Sequence, residues 1–142
     1  MMPRFEKTRD RRGLATSECA IVLPIIFMIM FGTIELCSVI FVKEALTVAA
    51  YEAGRVAVQR RSTSAAAEAV GETVLDDRGI STGTDPISIS PDPSTAAIMT
   101  ALTVTATAPI SGNTYVPSSV YQFFGYPEVS ATVVMRKEFS DD

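Results

Sequence analysis

Two glutamates are the residues of this sequence whose positions could carry chemistry. Glu18 stands at the mouth of a long apolar run, five positions after Gly13, and Glu35 lies within that run. A carboxylate near an apolar phase is costly alone and much cheaper when it is paired with an ammonium group. The N-terminus of a helix also favours a negative charge. Glu18 is therefore either paired with a cationic group or an interfacial acid with no partner.

The composition argues against an enzyme and against a nucleic-acid binder. The sequence has no histidine, which is the usual general base and the commonest metal ligand. It contains no Walker loop. Sixteen acidic residues outnumber 12 basic ones, for a net charge of −4, whereas phosphate binding needs a basic face. We expect no catalytic residues, no metal, no cofactor and no nucleic-acid partner.

The apolar run at residues 19–42 is predicted to be a retained membrane anchor. It has 24 residues and one charge. As a helix it would measure about 36 Å, enough to cross a hydrocarbon core of about 30 Å. The apolar region of a cleaved secretory signal has only about 7–15 residues, so this run is too long for that role.

Two residues interrupt the apolar character of the run. Glu35 lies off its centre, and an acid inside a membrane predicts a functional contact, here with another membrane helix; the alternative is that Glu35 is tolerated near the interface. Pro24 frees the carbonyl of Ala20 and predicts a kink. Transmembrane helices also carry such a proline without any role.

The flanking charges predict the orientation of the anchor. After the run, Lys43 is followed by no basic residue until Arg55. The positive-inside rule therefore predicts a cytoplasmic N-terminus and about a hundred C-terminal residues outside, in the periplasm or at the surface of a bacterium. The basic residues before the run are Arg4, Lys7, Arg9, Arg11 and Arg12.

The residues after the run predict a small α+β domain. Alanines at positions 45, 49, 53 and 57 form a helical stripe, so we expect one long helix over residues 14–61. A second, shorter helix is predicted over 62–79. Residues 80–142 are predicted to be β-rich and to form a small antiparallel sheet, because 86–90, 102–108 and 129–136 alternate or are β-branched.

An aromatic stretch, SVYQFFGYP at 119–127, precedes the last predicted strand. We interpret it as a short helical turn or a loop that packs on the sheet as part of the core. A binding patch is the alternative.

The order of basic leader, glycine, glutamate and apolar helix resembles the cleavage and assembly signal of type IV prepilins. The whole arrangement resembles the TadE-like family, the pseudopilins of the tight-adherence (Tad, or Flp) pilus system. The matching elements are Gly13 with Glu18, AIVLP at 20–24, FGTIELCSVIF at 31–41, AAYEAGRVAV at 49–58 and VMRKE at 134–138.

The resemblance implies a role for each residue of the motif. Gly13 would end the leader, residues 1–13, and Leu14 would begin the mature chain after a prepilin peptidase cuts on the cytoplasmic side. Glu18 would face the new N-terminal amine, its own or that of a neighbour. Glu35 would contact another pseudopilin. The family usually has phenylalanine or another bulky residue after the glutamate, where this sequence has Cys19.

The resemblance also implies a function and partners. The protein would be a minor pilin or pseudopilin of the bacterial inner membrane that is required for Tad pilus assembly in adhesion and biofilm formation. Its partners would be the prepilin peptidase, another pseudopilin or pilin subunit and the Tad secretion machinery. The alternative is an uncleaved single-pass membrane protein whose extracytoplasmic domain binds a partner. Cleavage discriminates between the two.

Overall fold

The computed structural model describes residues 9–138, so most of the predicted leader and the last four residues lie outside the described part. The predicted α+β layout is confirmed: a long apolar helix is followed by a short helix and a three-stranded antiparallel sheet. The elements are α1 (Arg9–Ala57), α2 (Ser64–Asp77), β1 (Ile87–Ser90), β2 (Ala101–Pro109), α3 (Ser118–Phe123) and β3 (Glu128–Arg136).

The ends of the helices are set by local backbone chemistry. Helix α1 ends at Ala57, before the predicted end at residue 61, and Arg61 adopts a positive φ of 54° that no helix can continue. The side-chain oxygen of Thr63 then accepts a hydrogen bond from the backbone amide of Ala66 at 3.3 Å, which caps the start of α2. The two helices are therefore separate elements joined by a short turn.

The chain divides into two compact units, Met1–Leu36 and Cys37–Asp142, and α1 contributes residues to both. In the first unit, all the large apolar side chains from Ile21 to Leu36 are exposed. Helix α1 is long and apolar enough to cross a membrane, and only 11% of its most apolar 18-residue window is buried. A core helix of a soluble domain would instead bury such side chains.

In the second unit, the predicted alanine stripe of α1 is buried. Ala45, Ala49, Ala53 and Ala57 have no exposed surface. Such small side chains let neighbouring elements approach closely. A Cβ at Gly71 of α2 would lie 3.2 Å from the Cβ of Ala53 and 3.0 Å from side-chain carbons of Ile87. The two helices and β1 thus meet at a point where a larger side chain would force its neighbours to move by a few tenths of an ångström.

The sheet has the order β1-β2-β3, with both pairs antiparallel. Alternate residues of the central strand β2 are buried, and they join the core formed with the two helices. The threonines between them are half-buried on the other face. This alternation confirms the period of two predicted for the strand. The buried residues of β2 are Leu102, Val104, Ala106 and Ala108.

A buried lysine, Lys137, directly follows the last residue of β3. Lys137 is 1% exposed, and its Nζ donates a hydrogen bond to the carbonyl oxygen of Pro93 at 2.5 Å. The Met99 amide donates to the Lys137 carbonyl oxygen, and the Lys137 amide donates to that of Thr100. These bonds hold the β1–β2 connection against the end of β3.

Candidate functional site

The predicted cleavage site lies in the first turns of α1. Gly13 is exposed and helical, and no heavy atom lies within 4 Å of the position that a Cβ would occupy there. Neither a positive φ nor a close contact requires a glycine at this position. The fold of this chain therefore accommodates a larger residue in place of Gly13.

Glu18 lies one helical turn after Leu14 and is exposed. Four residues of helix rise about 6 Å, and positions i and i+4 share a face. The Cα–Cβ bonds of a helix tilt towards its N-terminus, so the side chain of Glu18 starts in the direction of the Leu14 nitrogen. Among the side chains that the structure describes, no ion pair involves Glu18. This geometry suits a pair between Glu18 and an amine at residue 14.

Glu35 differs from its neighbours in the first unit. It is 8% exposed, whereas Ile34 and Leu36 are 44% and 60% exposed. The carboxylate therefore offers little surface to another chain in this conformation, and its contact with a second subunit stays a prediction. Helix α1 continues through Pro24, and the kink at that residue also stays a prediction.

The interpretation of the aromatic stretch as core is wrong. Phe123, Phe124 and Tyr126 are 85%, 66% and 69% exposed, and only Tyr121 is half-buried. The two phenylalanine rings contact each other edge to face, with centroids 5.4 Å apart. Aromatic composition alone predicts burial. Helix α3 has only six residues, however, and a helix this short does not place all of these rings against the sheet. Tyr115, outside the predicted stretch, is 82% exposed.

The described residues contain no group of three or more histidine, cysteine or acidic side chains placed to hold a metal. Two groups of the residues singled out from the sequence lie together, and Pro24 and Glu35 lie further along α1. Gly13, Leu14 and Glu18 lie close together at the start of α1, and the aromatic residues lie between β2 and β3. Sequence reasoning missed the exposure of the second group.

One long apolar helix with exposed sides, continuous in sequence with a small α+β domain, is typical of a single-pass membrane protein. Residues 13–55 match the model of a family described as TadE-like protein. The resemblance predicted from the sequence is confirmed over this segment, which begins at Gly13 and includes both Glu18 and Glu35. The match covers 43 of the 142 residues and lies wholly within α1. No curated protein and no solved structure matches the chain.

Proposed function

We propose that this protein is a minor pilin or pseudopilin of the bacterial inner membrane, and that it is a structural assembly protein without enzymatic activity. Its N-terminus lies in the cytoplasm and its α+β domain in the periplasm. A prepilin peptidase removes residues 1–13, and the mature subunit serves the assembly of Tad (Flp) pili in surface adhesion. The observation that supports this most is the TadE-like match, which starts at Gly13 and includes Glu18.

The proposed role of cleavage is to create a partner for Glu18. In the intact chain the Leu14 nitrogen is part of a peptide bond and carries no charge. Hydrolysis of that bond leaves a carboxylate on Gly13 and an ammonium group on Leu14, one turn before Glu18. Each charge is costly next to an apolar phase, and pairing offsets much of that cost. The pair forms within one subunit or between neighbouring subunits.

The exposed sides of α1 support a partner subunit. The large apolar side chains from Ile21 to Leu36 are not covered by any of the residues that the structure describes. In the bilayer they face lipid, and in a filament they would pack against the helices of another pseudopilin or pilin. Moving an apolar side chain from lipid to a protein interface changes the free energy little, because both surroundings are apolar. Close packing and polar contacts between helices would therefore decide assembly. The Tad secretion machinery would move the subunit from the bilayer into the filament.

The mature N-terminus is the first test. We expect mass spectrometry of the membrane fraction to find a chain that begins at Leu14 when the prepilin peptidase is present, and at Met1 or Met2 when it is deleted. A chain that begins at Met1 or Met2 in both strains would refute processing. The uncleaved single-pass protein with a partner-binding domain would then be the better account.

Substitution of Gly13 by alanine tests why a glycine precedes the cut. Because Gly13 is helical, the segment must unwind before an extended backbone can enter a peptidase site. Alanine stabilises a helix over glycine by about 1 kcal/mol, so we expect Gly13→Ala to slow processing by about fivefold. The measurement is a pulse–chase of precursor and mature forms.

Gly32 provides the matched control, since it also lies in α1 with no heavy atom within 4 Å of its Cβ position. Gly32→Ala should be processed at the normal rate. Equal rates for Gly13→Ala and the unmodified protein would contradict the unwinding step, as would equal slowing in both variants.

A further inference from the structure

The connection between β2 and β3, residues 110–127, is an exposed aromatic surface without charge. It contains no aspartate, glutamate, lysine or arginine. Its rings are exposed at Tyr115, Phe123, Phe124 and Tyr126, by 66–85%. Burying one such ring contributes about 1.5–3 kcal/mol, so a cluster of them exposed to water indicates a surface that is covered in use. We call these 18 residues the aromatic loop.

Two contacts within the second unit show where the aromatic loop lies along α1. The Nζ of Lys43 donates a hydrogen bond to the carbonyl oxygen of Ser130. Further along the helix, a Cβ at Gly54 would lie 3.0 Å from the Sδ of Met135. Eleven residues of helix rise about 16 Å, and five residues of strand rise about 16 Å as well. Strand β3 therefore runs beside α1, with its start towards Lys43.

The aromatic loop thus lies beside the end of the apolar run. Strand β3 starts at Glu128, two residues before Ser130, which is about 7 Å or four to five helical residues beyond the level of Lys43. That level corresponds to residues 38–39, within the last six residues of the predicted membrane span. The aromatic loop joins β2 to β3 at this end of the sheet, because Pro109 pairs with Glu128.

The base of the aromatic loop is held firmly. The side-chain amide of Asn113 donates to the carbonyl oxygens of Ser81 and Pro109 at 2.8 and 2.7 Å, and its oxygen accepts from the Ser81 amide at 2.8 Å. The amide of Ile110 donates to the carbonyl oxygen of Pro127 at 3.0 Å. These hydrogen bonds fix the position of the loop's base relative to the sheet, and with it the region where the rings lie.

We propose that the aromatic loop docks on the phospholipid bilayer beside the chain's own membrane span. Phe123 and Phe124 enter the upper acyl region, and Tyr115 and Tyr126 lie at the level of the headgroups, where aromatic rings concentrate in membrane proteins. No charge has to leave water. The bilayer is the occupant that the position favours, because the loop lies beside the outer end of the span. The proposal rests on insertion of α1 in the membrane and not on cleavage or pilus assembly.

The absence of tryptophan from the sequence makes a direct test available. Phe123→Trp places a single indole on the loop, and Ile98→Trp places one at an exposed position (51%) in the β1–β2 connection, at the other end of the sheet. Phe31→Trp reports insertion of the span. Each full-length variant is reconstituted in phosphatidylcholine–phosphatidylglycerol vesicles, with or without lipid that carries a nitroxide at carbon 5 of the acyl chain.

We expect the nitroxide lipid to reduce the fluorescence of Phe123→Trp and Phe31→Trp by about twofold or more and to leave that of Ile98→Trp unchanged, as expected for rings at the interface. Quenching of Phe31→Trp without quenching of Phe123→Trp would overturn the proposal. A blue-shifted but unquenched Phe123→Trp would show that protein, such as a second copy, covers the loop, and it too would overturn it. An unquenched Phe31→Trp would also overturn the proposal, because the proposal requires that α1 is inserted in the membrane. The vesicles contain no peptidase, so a failure of processing in cells cannot affect this result.

Discussion

Substitution of Glu18 by glutamine is expected to abolish Tad pilus assembly while the protein stays in the membrane. Glutamine keeps the size of the side chain but removes the negative charge, so the new amine of Leu14 would have no ionic partner at the edge of the apolar phase. Electron microscopy of surface pili measures assembly, and carbonate extraction of the membrane fraction measures retention. We expect the mature N-terminus to remain at Leu14, so that the defect follows cleavage.

Glu44→Gln is the matched control for this experiment. Glu44 is also an exposed glutamate of α1, but it lies beyond the apolar run and far in sequence from Leu14. It should leave piliation unchanged. Normal piliation with Glu18→Gln would mean that the ion pair is not needed for assembly, and the account of Glu18 as an interfacial acid without a partner would be preferred.

Substitution of Gly71 by valine is expected to lower the free energy of unfolding by about 3 kcal/mol. The first added carbon would already lie 3.0 Å from side-chain carbons of Ile87 and 3.2 Å from the Cβ of Ala53. Ile87 is 3% exposed and Ala53 has no exposed surface, so neither can move into solvent. The two γ-methyl groups of valine would add to this clash. Urea unfolding of the detergent-solubilised full-length protein measures the loss.

Ala69→Val controls for the cost of a β-branched residue in α2. Ala69 is exposed on the same helix, so valine there meets no packing constraint and should cost about 0.5 kcal/mol. Equal losses for the two variants would contradict the close approach of α1, α2 and β1 at Gly71.

The TadE-like match and the structured domain overlap only in part. The match ends at Arg55, two residues before the end of α1. It therefore includes the proposed processing motif, the predicted membrane span and most of the alanine stripe that packs on α2 and the sheet. The sheet itself and the aromatic loop lie outside it. The proposed bilayer contact thus concerns a part of the chain for which the family match implies nothing.

The sequence by itself determined the features that depend on local periodicity and spacing. The apolar run is long enough to cross a membrane because of its own composition. The stripe from Ala45 to Ala57 is buried because residues four apart share one face of a helix. The alternation of β2 follows in the same way from the period of a strand. The spacing of Gly13 and Glu18 is visible in the sequence because the two residues are only five positions apart. That spacing pointed to the family resemblance.

Only the tertiary structure decided which side chains of the other segments are covered. Phe123 and Phe124 have the composition of a core, yet they are exposed, because no part of the described chain covers them. Lys137 has the composition of a surface residue, yet it is 1% exposed, because the carbonyl oxygen of Pro93, 44 residues earlier, meets its ammonium group. Gly71 likewise owes its constraint to Ile87 and Ala53, from two other elements. Such contacts join residues distant in the chain, and no local pattern contains them.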